Sequence, residues 1–162
     1  MTEEILAFLR EVRHKYVPSP ASILDIGSRN VNGSSRSVWE ACPQYIGVDL
    51  EPGEGVDIVA DALTFNSGTR YDLVLCCETL EHTTNPLAIA DTCKRHVAAN
   101  GFLVITTPDN GFEEHGYPRD YWRIMPHAYA DLLYAGWHLL ELVQVQGPSL
   151  CAIGQRGEQK QN

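Results

Sequence analysis

Apolar positions Ile5, Leu6, Phe8, Leu9, Val12 and Tyr16 recur at helical spacing, which predicts an amphipathic helix over residues 3–16 that Pro18 and Pro20 bring to an end. The pattern then changes character. Ser22–Gly27 (SILDIG) is a short apolar run closing on an acid and a glycine, the look of a buried strand running into a turn. Residues 28–34 are polar and turn-rich, and a helix is expected from Ser35 to Ala41. Tyr45–Asp49 and Val56–Asp61 repeat the strand-then-acid design, and Tyr71–Cys77 is the most apolar run of all. Pro86 suits a helix start; Leu87, Ile89, Ala90, Cys93 and Val97 supply a stripe to about Ala99, and Asn100-Gly101 is expected to close that helix. A β-branched strand follows over 102–107, then a helix from Pro126 through Leu132 and Leu133 to Gly136, then strands over 137–146 and 149–154. Residues 155–162 are polar and expected to fray.

Strands alternating with helices, several of them apolar on both faces, define an α/β chain: a Rossmann-like, doubly wound, mostly parallel sheet with helices on both faces. The last two strands are joined only by Gln146-Gly147-Pro148, too short for a parallel crossover, so they should form an antiparallel edge hairpin. The expected organisation is a single domain over 1–162, with 1–20 as an N-terminal helix and linker.

Composition narrows the setting. Twelve Lys+Arg against 21 Asp+Glu leave a net charge of −9, which argues against nucleic acid as a partner because phosphate binding needs basic side chains. No apolar run approaches the roughly 20 residues that span a bilayer, so no membrane partner is expected. The five cysteines (Cys42, Cys76, Cys77, Cys93, Cys151) contain no C-x-x-C pair, and Cys76-Cys77 reads as two buried strand thiols in a reducing, cytoplasmic protein.

In an open parallel sheet, ligands bind beyond the C-terminal strand ends. Asp25, Gly27, Ser28 and Arg29 fall there after the first strand, Asp49 after the second, Asp61 after the third, Cys77 and Glu78 after the fourth, and Pro108 and Asp109 after the fifth. Asp49 lies 22 residues past Gly27, about where a second-strand carboxylate meets a ribose. The glycine turn is no dinucleotide fingerprint, since G-x-G-x-x-G would need glycines where Arg29 and Asn32 stand, and this weighs against a nicotinamide-dependent oxidoreductase.

Taken together, Ile23–Gly27, Tyr45–Leu50, Asp61-Ala62, Tyr71–His82 (YDLVLCCETLEH) with Pro86, and Asn100–Asp109 (NGFLVITTPD) resemble the class I S-adenosylmethionine-dependent methyltransferases, in the small-molecule branch. Gly116–Pro126 is similar, more loosely, to a segment of small members tied to sugar or surface-polymer pathways. One departure is that Ser28–Asn32 intervene before Gly33, where the family usually has further glycines. The resemblance implies S-adenosylmethionine as cofactor and a small-molecule acceptor. Asp25, Gly27 and the backbone of Ser28 and Arg29 would face the methionine end; Asp49 would take the ribose hydroxyls, with Leu50 on the adenine. Asp61 and the Ala62 backbone would meet the adenine amine, and Cys77 and Glu78 would lie beside the sulfonium.

For a hydroxyl acceptor a general base is useful, and His82 and His115 are the two candidates. Tyr117, Tyr121, Trp122 and Arg123 are expected to wall the acceptor site, Arg123 either gripping an anion or pairing with Asp120. No metal is expected, because His82, His115 and Cys77 lack ligand spacing. A chain of this length is close to a bare cofactor-binding core, so the acceptor pocket should come from the 109–123 loop, the N-terminal helix, or a partner subunit such as a second copy. A catalytically silent binding module of the same fold stays open beside the enzyme.

Overall fold

The computed structural model describes residues 1–116 and 119–157. The chain opens with α1 (Glu3–Lys15), capped by Thr2, whose hydroxyl accepts from the Ile5 N–H; Glu3 and Glu4 occupy its first turn and Arg13, His14 and Lys15 its last, each sign matched to the helix dipole. β1 (Ser22–Ile26) leads to a short 3₁₀ helix (Ser35–Trp39), then β2 (Gln44–Asp49), the two-residue β3 (Ile58–Val59) and β4 (Tyr71–Cys77). A second 3₁₀ turn (Leu80–His82) precedes α2 (Pro86–His96), with Pro86 in its first turn and the Asn85 side chain accepting from the Ala88 N–H. β5 (Val97–Pro108), α3 (Pro126–Ala128) running into a π-helical turn (Tyr129–Leu133), β6 (His138–Val145) and β7 (Ser149–Gln155) complete the order.

The strands form one seven-stranded sheet in the order β3-β2-β1-β4-β5-β7-β6. The first five pair in parallel, and β7 runs antiparallel to both β5 and β6. The terminal hairpin therefore folds back so that its second strand lies inside and β6 takes the edge. One face carries α1 and the first 3₁₀ helix over Ile23, Leu73, Leu75, Cys77, Val104 and Ile153. The other carries α2 and the π-helical turn over Leu24, Val74, Cys76, Leu103 and Ile105. Leu73 and Leu75 thus point one way and Val74 and Cys76 the other, which is why β4 lacks polar alternation.

Four expectations are corrected. The helix expected from Ser35 to Ala41 is a 3₁₀ turn ending at Trp39. The strand expected over 56–61 shrinks to Ile58–Val59. α2 stops at His96 rather than near Ala99, because Val97 is fully buried and pairs with Tyr71 in the sheet. Asn100 (φ +61°) and Gly101 then shape a register jump, from Tyr71↔Val97 to Leu73↔Phe102, rather than a helix end. Finally, Gln155 belongs to β7, and Arg156 donates through its backbone to Gly101 and through its guanidinium to Val97, so the tail is held that far; residues 158–162 lie outside the described residues.

Candidate functional site

The C-terminal ends of β1 to β5 carry the polar residues singled out above. At β1, Gly27 adopts φ +80°, and a Cβ there would overlap the Thr79 side chain, whose hydroxyl donates to the carbonyls of Ile26 or Cys77. The turn is stitched to β2 and the loop after it. The N–H groups of Gly27 and Ser28 donate to Val48, that of Arg29 to Asp49 Oδ2 at 3.0 Å, and that of Asn30 to Glu54. The Ser28 and Arg29 amides, expected at the methionine end, are therefore engaged within the chain. Ser28 Oγ is buried and turned toward Gly47. Asp25 is 2 % exposed, and its Oδ2 accepts from Ser35 Oγ (2.5 Å) and Tyr45 OH (2.7 Å); burial pushes its carboxyl up, against those two donors. Its placement braces β1, β2 and the 3₁₀ helix.

Asp49 is half-buried and held by two backbone donors, Arg29 N–H on Oδ2 and Glu51 N–H on Oδ1. Its neighbour Leu50 is 65 % exposed, unusual for a leucine beside a buried strand. On the adjoining β3, whose Val59 pairs with Asp49, the chain continues into exposed Asp61, which accepts from the Leu63 N–H, then half-buried Ala62 and Leu63, 38 % exposed. Two carboxylates and two exposed leucines thus end neighbouring strands.

Beyond β4 the arrangement is tighter. Cys77 is buried in the core beneath α1, so its side chain is not offered to the rim. Glu78 takes the rare left-handed conformation (φ +49°) and is fixed to β5: its N–H donates to Thr106, whose hydroxyl donates to Glu78 Oε1 at 3.0 Å. Burial raises its carboxyl above the ordinary range. Glu81 is fully buried and neither carboxylate oxygen has a hydrogen-bond partner among the described residues. Burial first, then the nearby Glu78, drives its carboxyl well above the usual range.

Two histidines face Glu81. His82 Nδ1 lies 2.7 Å from the Arg119 carbonyl, which can only accept, so Nδ1 carries the proton and Nε2 the lone pair; Nε2 is 3.5 Å from Glu81 Oε1. Burial lowers the pKa of His82. His115 Nε2 is 3.9 Å from the same oxygen, while its Nδ1 sits 3.2 Å from Asp120 Oδ2 as a charge contact. The imidazoles meet edge to face at 5.0 Å. Asp120 accepts both terminal nitrogens of Arg123 (2.6 and 2.7 Å), which holds its carboxyl down at about 2.

Several expectations change here. Arg123, one reading of which was an anion grip, also donates to the carbonyls of Phe112, Glu113 and Trp122, so its terminal nitrogens brace the loop. Trp122 donates its indole N–H to Thr83, leaving the ring 43 % exposed beside Tyr121 at 44 %, and Tyr121 N–H donates to the Glu81 carbonyl. Tyr117 lies outside the described residues. Where no metal grouping was expected, Glu81, His82 and His115 each bring one ligand atom within 4.8 Å of the others, with Glu81 in the part assigned to Cys77. Glu81 is the site residue the sequence reading passed over, while the Asp120–Arg123 pairing it offered as one reading is present. The available signal was an acid directly before a histidine, just past the most apolar strand.

The described residues form a Rossmann-like sheet with carboxylates at or just beyond the ends of β1 to β4. The chain belongs to the methyltransferase-domain family, whose model matches residues 1–149. It is 33% identical over 119 residues to the ubiquinone biosynthesis O-methyltransferase of Paraburkholderia phytofirmans, covering 61% of this chain and 51% of that protein. The corresponding protein of Nitrosomonas europaea is 36% identical over 61 residues, 36% of this chain and 26% of that one. The chain therefore spans about half the length of the first of these relatives and less of the second. Among solved structures, the Burkholderia thailandensis 1,6-didemethyltoxoflavin-N1-methyltransferase with bound S-adenosylhomocysteine superposes with a TM-score of 0.77 at 15% identity, over 96% of this chain and 80% of that one. The N-methyltransferase NodS from Bradyrhizobium japonicum gives 0.75 at 17%, over 96% and 87%. At those identities the likeness is one of fold.

Proposed function

We propose that this chain binds S-adenosylmethionine across the ends of β1 to β4 and directs its methyl group to a small-molecule acceptor at the rim formed by residues 78–82, 115–116 and 119–123. The observation that carries the reading is the pair of strand ends at Asp49 and Asp61 with Leu50 and Leu63 exposed beside them. Asp49 fits a ribose: with one backbone donor on each oxygen, a lone pair remains on each for one of two vicinal hydroxyls. Leu50 and Leu63 offer apolar surface for a flat base, and exposed Asp61 can accept from an exocyclic amine. Bound S-adenosylmethionine supplies a methyl group on a sulfonium that is already a good leaving group, so the protein's contribution is alignment and proton handling.

At the rim, His82 Nε2 carries the lone pair and is the ring atom placed to receive the proton of an acceptor hydroxyl; its lowered pKa keeps the ring neutral at working pH. Tyr121 and Trp122 present half-exposed rings as an acceptor wall, and the Asp120–Arg123 pair holds the loop that carries them. The narrower expectation of a sugar or surface-polymer unit rests on the 116–126 segment alone. Calorimetric titration with S-adenosylhomocysteine tests the assignment. We expect one site per chain and about 100-fold weaker binding in Asp49→Ala, from the loss of two charge-assisted hydrogen bonds at roughly 1.5 kcal/mol each. Unchanged affinity in that variant overturns the ribose role, and binding of NADH in place of S-adenosylhomocysteine overturns the class.

A further inference from the structure

We infer that Arg70 and Arg156 form a binding site for the phosphate group of a small soluble ligand, at the end of the sheet opposite the strand ends that carry Asp49 and Asp61. Both side chains reach one oxygen. Arg70 Nη1 lies 3.5 Å from the Val97 carbonyl, and Arg156 Nη1 lies 2.5 Å from the same atom. Val97 directly follows α2 and pairs with Tyr71, the first residue of β4, so the two arginines meet where β4 and β5 begin. From there β4 runs seven residues to Cys77, about 20 Å at the usual strand rise. The site is therefore separate from the rim after β4.

Helix capping explains one of these contacts but not the pair. The last carbonyls of α2 carry the negative end of the helix dipole, and a single guanidinium there is an ordinary cap. A second cation on the same oxygen adds like-charge repulsion. Burial first, then the charge of Arg70, lowers the pKa of Arg156. Arg10, Arg29, Arg36 and Arg123 each pair with an acid, namely Glu3, Glu51, Asp57 and Asp120. Arg70 and Arg156 have no such partner among the described residues. Their neighbours on the last turn of α2 are engaged elsewhere, Lys94 with Asp91 at 2.8 Å and Arg95 with Thr92 Oγ1 at 2.9 Å. On a chain of net charge −9, two adjacent guanidiniums without an acid mark a place prepared for an anion.

The donors select the kind of anion. Arg156 is fixed before any ligand arrives: its N–H donates to the Gly101 carbonyl at 2.9 Å, and Gln155 Nε2 beside it donates to the Asn100 carbonyl at 3.1 Å. Arg70 is exposed at the last position before β4. Among the described residues each guanidinium is bonded through Nη1, so Nη2 and Nε of both remain as donors. A carboxylate has two oxygens and fills one planar fork, whereas a phosphate has enough terminal oxygens to serve both. A membrane surface asks for roughly four to eight clustered cations, and nucleic acid for a basic stripe. Two arginines on an acidic chain fit a small ligand instead.

The test is calorimetric titration of the full chain with sodium pyrophosphate at constant ionic strength. One saturable site per chain is expected, with binding about 10-fold weaker in Arg70→Gln and in Arg156→Gln and unchanged in Arg10→Gln. Arg70→Lys keeps the charge and loses the fork, so it should bind about 3-fold more weakly than the wild type. Wild-type affinity in that variant reduces the site to a point charge and overturns the paired-fork geometry. Absence of saturable binding, or binding that Arg70→Gln and Arg156→Gln leave unchanged, overturns the site. A cooperative melt shows that each variant is folded; Arg156→Gln gives up a helix cap, and exposed Arg70→Gln keeps the test sharp if it does not fold. Succinate that binds as tightly as pyrophosphate overturns the phosphate class. Co-sedimentation with phosphatidic-acid vesicles, or tighter binding of single-stranded RNA, overturns the small soluble ligand. Saturating pyrophosphate should leave S-adenosylhomocysteine affinity unchanged, and competition between the two would place the anion at the other end of the sheet and overturn the assignment.

Discussion

Glu81 is the residue at which local physics and overall stability pull apart. Burial holds the Glu81 carboxyl well above the usual range, so folding at neutral pH costs either a buried charge without a compensating bond or the uptake of a proton. An amide of the same shape carries no charge. In chelator-containing buffer at neutral pH we therefore expect Glu81→Gln to raise the melting temperature by about 2–6 °C, equivalent to about 1–2 kcal/mol. A fall would show that Glu81 already has a stabilising partner. Rule-breaking positions of this kind collect at functional sites, and Glu78, a non-glycine residue at φ +49° three positions earlier, is a second one on the same rim. Gly27 answers to a different constraint: its positive φ and the Thr79 side chain against it leave no room for a Cβ.

At the level of elements, the π-helical turn Tyr129–Leu133 does more than end a short helix. Its 5-residue closure, Tyr134 N–H to the Tyr129 carbonyl at 2.8 Å, accompanies a fully buried placement of both tyrosine rings. Tyr134 OH lies 3.1 Å from the Leu103 carbonyl of β5 and 3.2 Å from the Ala152 carbonyl of β7, and Tyr129 OH bonds Thr107 and Leu150 of the same strands. The turn thereby clamps the junction where the sheet changes from parallel to antiparallel. Tyr134→Phe should cost about 1 kcal/mol and lower the melting temperature by about 2–4 °C, with S-adenosylhomocysteine affinity unchanged. Altered affinity in that variant would show that the clamp also shapes the cofactor site.

For the whole molecule, the binding reading has a direct thermodynamic consequence. A ligand that binds only the folded chain stabilises it by about 2.7 kcal/mol at 100 times its Kd, which for a chain of this size corresponds to about 5–10 °C. Melts with saturating S-adenosylhomocysteine should show that rise and melts with NADH should not; the reverse would return the chain to the nucleotide oxidoreductases. Among the described residues no helix is long and apolar enough to cross a membrane. The net charge of −9 remains an argument against nucleic acid as the acceptor.

The alternation of apolar runs, the acids closing Ser22–Ile26 and Tyr45–Asp49, and the three-residue link at 146–148 were enough to define the sheet class, its parallel body and its antiparallel end. Each is a local property of the chain, set by period and turn length. Position along the sequence also put Asp49 and Asp61 at strand ends. Long-range contact decided the rest. Val97 enters the sheet instead of extending α2 because its partner is Tyr71, 26 positions away. The amides of Ser28 and Arg29 turn to Val48 and Asp49 because loop packing supplies acceptors there. Glu81 becomes a buried carboxyl facing two imidazoles only when a segment more than 30 positions later brings His115 to His82. Burial and pairing of charge depend on which distant segments meet, and no periodicity in the sequence records that.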